Sequence, residues 1–299
     1  MSSTFRFLPV ALVLGASACR KDPPPAEPAP ATVPALARTI MEAADQYLTR
    51  DSARLRYREA GQGEAVVILH GYTQRIEAVK DLADSLSGSY RVIVLDERGF
   101  GESTKFGDPA RYGDAFGDDV VALLDQLQIQ KAHLVGHSMG AAIAADVAVR
   151  YPTRVSSISL LAGPFYADSA ALARKAAPYV ASLRKGTGLT SFVKWLVPGI
   201  PDSAATDINR QLLAANDSTV LVAVLSGMGG LTVPAGAKPD STIRVLIAVG
   251  DTDPLLPQSR ALKALWPKAT LIEAKGSNHF DVITRGEVVA GIRTTIRGT

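Results

Sequence analysis

Three features of this 299-residue chain point to a mostly parallel α/β sheet flanked by helices. Short continuous apolar runs, the pattern of strands buried on both faces, alternate with stretches of helical spacing. Gly136-x-Ser138-x-Gly140 lies between one such strand and the helix behind it. About eighty residues between two late strands break the alternation and read as an insertion.

Residues 35–49 have helical spacing and open the globular part. Residues 54–60 (RLRYREA) alternate polar and apolar ahead of the turn Gly61-Gln62-Gly63, as an early strand does. Residues 65–69 are a continuous apolar run ending at His70-Gly71, which predicts a doubly covered strand. Residues 75–86 are helical, with Ile76, Val79, Leu82, Ala83 and Leu86 on one face; 91–95 is the next strand and 118–127 the next helix. The strand 131–135 enters Gly136-His137-Ser138-Met139-Gly140, and the Ala-rich helix 141–151 behind it stops at Pro152. Strands follow at 155–161, 243–249 and 270–274, and residues 287–296 form a closing helix. Helical stretches at 168–185, 189–196 and 202–226, punctuated by Gly and Pro, fill the insertion. The expected core is 35–163 with 241–299, and the expected helical lid is 164–240.

The chain is 47% hydrophobic and 20% charged, an ordinary globular balance. A formal charge of +3 without a Lys/Arg run gives no footing for nucleic acid. Residues 1–18 read as a signal peptide. Arg6 supplies a positive start, 7–14 an apolar run too short to span a bilayer, and Ala16-Ser17-Ala18 a small-residue cleavage site. Cys19 follows directly and is the single cysteine, so no intramolecular disulfide can form. Residues 19–34 are rich in Pro and Ala and make an extended tether. The arrangement around Cys19 resembles a bacterial lipoprotein signal, which implies lipid on Cys19 and a protein held to a membrane in the cell envelope. The same bond suits the ordinary signal peptidase, which would leave the protein secreted or periplasmic.

A serine hydroxyl becomes a nucleophile when it is exposed, aimed and deprotonated. A sharp strand-to-helix turn exposes Ser138, and the flanking glycines permit that turn. His279, after the last strand, is the candidate base, in the final place of the order Ser, Asp, His. The acid should follow the strand 243–249, where Asp251 and Asp253 both stand; spacing does not choose between them. Its work is to hold the imidazole tautomer and to stabilise the imidazolium that forms. His70, His133 and His137 read as loop scaffold, strand residue and elbow packing. No metal-ligand cluster, phosphate loop or dinucleotide fingerprint occurs, so no cofactor is expected.

From residue 55 onward the chain resembles the α/β-hydrolase superfamily, in its lidded, serine esterase- or lipase-like branch. His70-Gly71-Tyr72 is similar to that family's oxyanion loop, Asp96-x-Arg98-Gly99-x-Gly101-x-Ser103 to its Asp-x-Arg-Gly-x-Gly-x-Ser segment, and Gly136-His137-Ser138-Met139-Gly140 to its nucleophile elbow. Gly250-x-x-Asp253 resembles its acid loop and selects Asp253 over Asp251. The resemblance implies a lid after the sixth strand, the one ending at Leu161, and an oxyanion hole formed by the backbone N–H groups of Tyr72 and Met139. Serine at the elbow excludes the relatives that use aspartate there. Hydrolysis of a small carboxylic ester through an acyl-enzyme on Ser138 is the expected reaction. Lactonase, carbon–carbon hydrolase, acyltransferase and cofactor-free haloperoxidase chemistry remain open on the same triad, as, more remotely, does a non-catalytic binding protein. Phe165, Phe192, Trp195 and Met228 are available to line an apolar pocket.

Overall fold

The computed structural model describes residues 37–233 and 236–298. The signal peptide, Cys19 and tether expected at residues 1–34 lie outside the described residues. One eight-stranded sheet is built from β1 (Gln46–Arg50), β2 (Ala53–Ala60), β3 (Ala65–Leu69), β4 (Arg91–Leu95), β5 (Ala132–His137), β6 (Val155–Leu161), β7 (Arg244–Gly250) and β8 (Thr270–Ala274). The strands lie in the order β1-β2-β4-β3-β5-β6-β7-β8, antiparallel at β1–β2 and β2–β4 and parallel elsewhere.

Helices α1 (Lys80–Ser87), α2 (Asp114–Gln126) and α3 (Met139–Arg150) come before β6. Four more, α4 (Ser169–Arg184), α5 (Thr190–Leu196), α6 (Asp202–Ala215) and α7 (Ser218–Gly227), occupy the segment between β6 and β7, and α8 (Leu256–Leu265) and α9 (Gly286–Arg297) follow. Every residue of β3 and β5 is buried because a core lies on each face. One core joins side chains of α2, α3 and α8 to one face of the sheet. The other joins those of α1 and α9 to the opposite face. Two covered faces explain why β3 reads as an unbroken apolar run rather than as an alternating one.

Three local expectations need correction. The helix expected over residues 35–49 does not form; Gln46–Arg50 is a strand instead. Asp51 and Ser52 both have positive φ, 48° and 62°, which makes the two-residue turn whose twist matches a hairpin. That turn sets Leu48 opposite Leu55, both buried, so cross-strand pairing outweighs the local helical spacing. The helix expected over residues 202–226 is two helices. Asn216 turns extended between them, and the Asp217 carboxylate caps α7, accepting from Thr219 N (2.7 Å) and Val220 N (3.2 Å). Finally, α8 was not expected, although Pro257 stands in its first turn, where proline favours a helix start.

The strand order places the site. β4 lies on one side of β3 and β5 on the other, so a crevice opens beyond the carboxyl ends of β3 and β5. The loops after β7 and β8 emerge from the carboxyl ends of parallel neighbours in the same sheet.

Candidate active site

Ser138 is the hinge between β5 and α3, with φ 53° and ψ −118°. This left-handed backbone is costly for a residue with a side chain and persists only where its surroundings over-determine it. Here Ser138 N donates to Leu161 O (2.8 Å), pinning the turn to the adjacent strand. A Cβ on Gly136 would lie 2.1 Å from Gly140 O, and one on Gly140 would lie 2.2 Å from Leu69 O. Both glycines are therefore fixed by close backbone approach, which lets α3 start directly above β3.

The turn brings three separated residues together. His279 Nε2 lies 3.1 Å from Ser138 Oγ, and His279 Nδ1 lies 2.9 Å from Asp253 Oδ2. Asp253 and His279 are buried, while Ser138 is half-buried at the floor of a cleft. A carboxylate can only accept, so Nδ1 carries the proton and Nε2 keeps a lone pair for the serine hydroxyl. The second Asp253 oxygen accepts from Leu255 N (2.8 Å), which fixes the carboxylate plane. Asp251, the other candidate, is exposed; its Oδ1 accepts from Gly276 N (2.8 Å) and does not reach the imidazole.

Tyr72 lies in the loop after β3 and Met139 opens α3 directly after Ser138, and both line the cavity that contains it. Among the described residues neither backbone N–H finds an acceptor. The loop carrying Tyr72 is held from several directions. Gly71 N donates to Gln74 Oε1 (2.7 Å), and His70 N to Glu97 Oε1 (2.9 Å). The Tyr72 hydroxyl donates to Leu221 O in α7 (3.0 Å), and Asn216 Nδ2 donates to Thr73 O (3.1 Å). Burial raises the Tyr72 hydroxyl well above its ordinary pKa, so it stays a donor.

The Asp96-to-Ser103 segment serves as scaffold. Asp96 accepts from Ile76 N (2.8 Å), Arg56 Nε (2.7 Å) and Glu102 N (2.8 Å). Arg98 makes two parallel bonds of 2.6 Å to Asp119, both side chains being buried. His70 Nε2 rests against Glu97 Oε2, and His133 Nδ1 lies 2.8 Å from Ser157 Oγ. His137 does more than pack the elbow: its Nε2–H donates to His279 O (2.9 Å), fixing the backbone of the base. Burial, reinforced by the neighbouring His279, lowers His137 to about 3, so its ring is neutral.

Two cavities meet at Ser138. The first is apolar and runs under the helical insertion past Met139, Leu172, Tyr179, Trp195 and Met228. The second runs along His279, Phe280, Ile208 and Leu212. Phe192 borders both, whereas Phe165 borders neither and packs against the core. Gln74, Glu97 and the Leu255 N–H were not singled out in the sequence. Only Glu97 carried a signal, as the variable position inside the Asp96-x-Arg98 motif. Among the described residues no group of three His, Cys, Asp or Glu side chains is gathered that could hold a metal ion.

The family described as alpha/beta hydrolase fold matches residues 64–187. The dihydrolipoyllysine-residue acetyltransferase component of an acetoin cleaving system from Cupriavidus necator is 29% identical over 257 residues, 80% of this chain and 65% of that protein. The 2-hydroxy-6-oxo-6-phenylhexa-2,4-dienoate hydrolase of Comamonas testosteroni is 37% identical over 114 residues, 37% of this chain and 40% of that protein. This chain thus spans less than two thirds of the length of either relative. Among solved structures, a thermophilic esterase from Thermogutta terrifontis superposes with a TM-score of 0.72 at 22% identity, covering 86% of this chain and 99% of that one. The matched segment and the shared sheet support the alpha/beta-hydrolase superfamily, and the chain has the alpha/beta-hydrolase fold.

Proposed function

We propose that the chain is a serine hydrolase that cleaves carboxylic esters through an acyl-enzyme on Ser138. The observation that carries this reading is the line from Ser138 Oγ to His279 Nε2 (3.1 Å) and from His279 Nδ1 to Asp253 Oδ2 (2.9 Å). Ser138 Oγ attacks the acyl carbon while His279 Nε2 takes its proton. The carbonyl oxygen gathers negative charge, and the N–H groups of Tyr72 and Met139 are the donors that stabilise it. His279 then gives the proton to the departing alcohol, and the carbonyl re-forms on Ser138. Water enters, loses a proton to His279 and attacks the same carbon, releasing the acid and restoring the serine.

The proton handed over by His279 sets the direction of the substrate. The leaving alcohol must lie in the cavity bordered by His279 and Phe280, and the acyl chain in the apolar cavity beneath the insertion. In this reading α4 to α7 are a lid that supplies most of the acyl wall. The similarity of fold to an esterase supports ester hydrolysis. The names of the two curated relatives keep acyl transfer and carbon–carbon cleavage as second readings.

The same proposal includes export. Residues 1–18 act as a signal peptide, and lipid on Cys19 holds the enzyme to the envelope membrane through the tether 19–34.

Product analysis with 4-nitrophenyl esters tests the reaction. A burst of one nitrophenol per Ser138, followed by release of free acid, supports hydrolysis. Predominant capture of the acyl group by an added alcohol supports transfer, and absence of any burst or turnover overturns the acyl-enzyme.

A further inference from the structure

Lys175 projects from α4 into the apolar cavity beside Ser138, and it is the one charged side chain among the residues that line it. Its ammonium lies 3.7 Å from the centre of the Trp195 ring and 6.0 Å from that of Tyr179. Among the described residues it makes no salt bridge within 4.0 Å. The two rings face it with π density, which steadies a cation but leaves its N–H donors unfilled by any anion. Partial burial lowers its pKa from the ordinary lysine value, as expected of a cation without a carboxylate partner. A lysine serving only to solubilise a lid would turn its head to water, as long charged side chains on helices do.

We propose that Lys175 is an anion subsite for the acyl half of the substrate, so that the preferred ester carries a carboxylate at the far end of its acyl chain. This rests on the ester-hydrolase reading given above. The orientation follows from the chemistry at Ser138. The leaving alcohol occupies the His279 side, so whatever Lys175 meets belongs to the acyl side. The aliphatic and aromatic walls between Ser138 and Lys175 would cover a methylene chain, and the ammonium would pair with the terminal carboxylate. The substrate class is thus the half-ester of a dicarboxylic acid. A charge-assisted hydrogen bond in a partly desolvated cleft gives a preference of about ten- to a hundredfold over an uncharged chain.

The test compares mono-4-nitrophenyl half-esters of dicarboxylic acids of graded length with 4-nitrophenyl esters in which a methyl group replaces the distal carboxylate. The quantity read is the ratio of kcat/KM, half-ester over its methyl counterpart. In the wild type this ratio should exceed about ten at one chain length. Lys175→Met should bring it close to one, chiefly through KM, and Lys175→Arg should keep most of it. A wild-type ratio near one at every length, or an equal loss on both ester series in Lys175→Met, would overturn the proposal. A second readout separates this subsite from the ester reading. Alkyl sulfonates, compared with alkanols of equal length, should protect Ser138 from a fluorophosphonate probe in the wild type and not in Lys175→Met. Protection of that kind without turnover of any ester would remove the ester reading and leave the anion subsite standing. Equal protection by sulfonate in both proteins would remove the subsite.

Discussion

The Tyr72 hydroxyl donates to Leu221 O across 3.0 Å, joining the loop after β3 to α7 of the helical insertion. Asn216 Nδ2 adds a second tie, to Thr73 O. All four sequence motifs lie outside the insertion, yet the insertion steadies the loop whose Tyr72 lines the Ser138 cavity. Tyr72→Phe removes this bond while the Leu221 carbonyl keeps its place in α7, at a cost of about 0.5–1.5 kcal/mol. Turnover should fall by up to about tenfold with burst and steady state slowed together, and the thermal midpoint should drop. Rapid-quench kinetics beside thermal melts would check this; unchanged acylation in a destabilised protein would confine the bond to folding.

Asp253 and Asp251 stand two residues apart and do different work. Asp253 is buried against the imidazole, and Asp251 is exposed beside Gly276. Asp253→Asn should lower kcat by about 10⁴-fold, because an amide at that place favours the wrong tautomer of His279. Asp251→Asn keeps an oxygen that can accept from Gly276 N and should stay within about tenfold of wild type. The opposite ranking in steady-state assays would contradict the geometry.

His137 ties stability to pH. The unfolded chain binds a proton on this residue near the ordinary 6.5, and the native state does not bind it until about 3. Between those values the unfolded state carries more protons, so stability is lost as pH falls and rises with pH by up to about 1.4 kcal/mol per unit. Above 6.5 this residue adds no slope. Denaturant unfolding of wild type and His137→Gln between pH 4 and 8 would measure it. The variant should show a shallower fall on the acid side, and parallel profiles would refute the assignment.

The proposed anchor makes its own prediction. Native protein should begin at a lipidated Cys19, and Cys19→Ala should release the enzyme from the membrane fraction with its turnover intact. Buried acyl chains contribute about 0.8 kcal/mol per CH₂, so more than one chain is needed for firm attachment. Mass spectrometry of the N-terminus decides it: an unmodified Cys19 on a fully soluble native protein would end this part of the proposal.

Much of the architecture was legible because strands buried on both faces announce themselves as apolar runs, as β3, β4 and β7 do. The hairpin of β1 and β2 was not. Leu48 finds its partner Leu55 only after Asp51-Ser52 turns the chain, and a spacing rule confined to residues 35–49 does not see that partner. The break in the insertion was visible in principle, since Asn216-Asp217 is a helix stop followed by a cap. At the site, chain order pointed to Ser138 and His279, and the structure brings both to Asp253. Spacing left two aspartates open and the Gly250-x-x-Asp253 resemblance selected Asp253; burial and the direction of its carboxylate give the physical reason. Lys175 had no local signal at all, since its importance comes from the cavity wall around it, which α4 and α5 assemble from distant positions.

The most direct measurement is covalent labelling of Ser138 by a fluorophosphonate, with wild type and Ser138→Ala compared as folded proteins. The expected result is one equivalent of label on Ser138 in the wild type. The variant should take up none, while its ester turnover falls by roughly 10⁵–10⁶-fold and its circular dichroism and melting stay unchanged. Labelling of Ser138→Ala at the wild-type rate, or turnover that survives the substitution, would contradict an acyl-enzyme on Ser138.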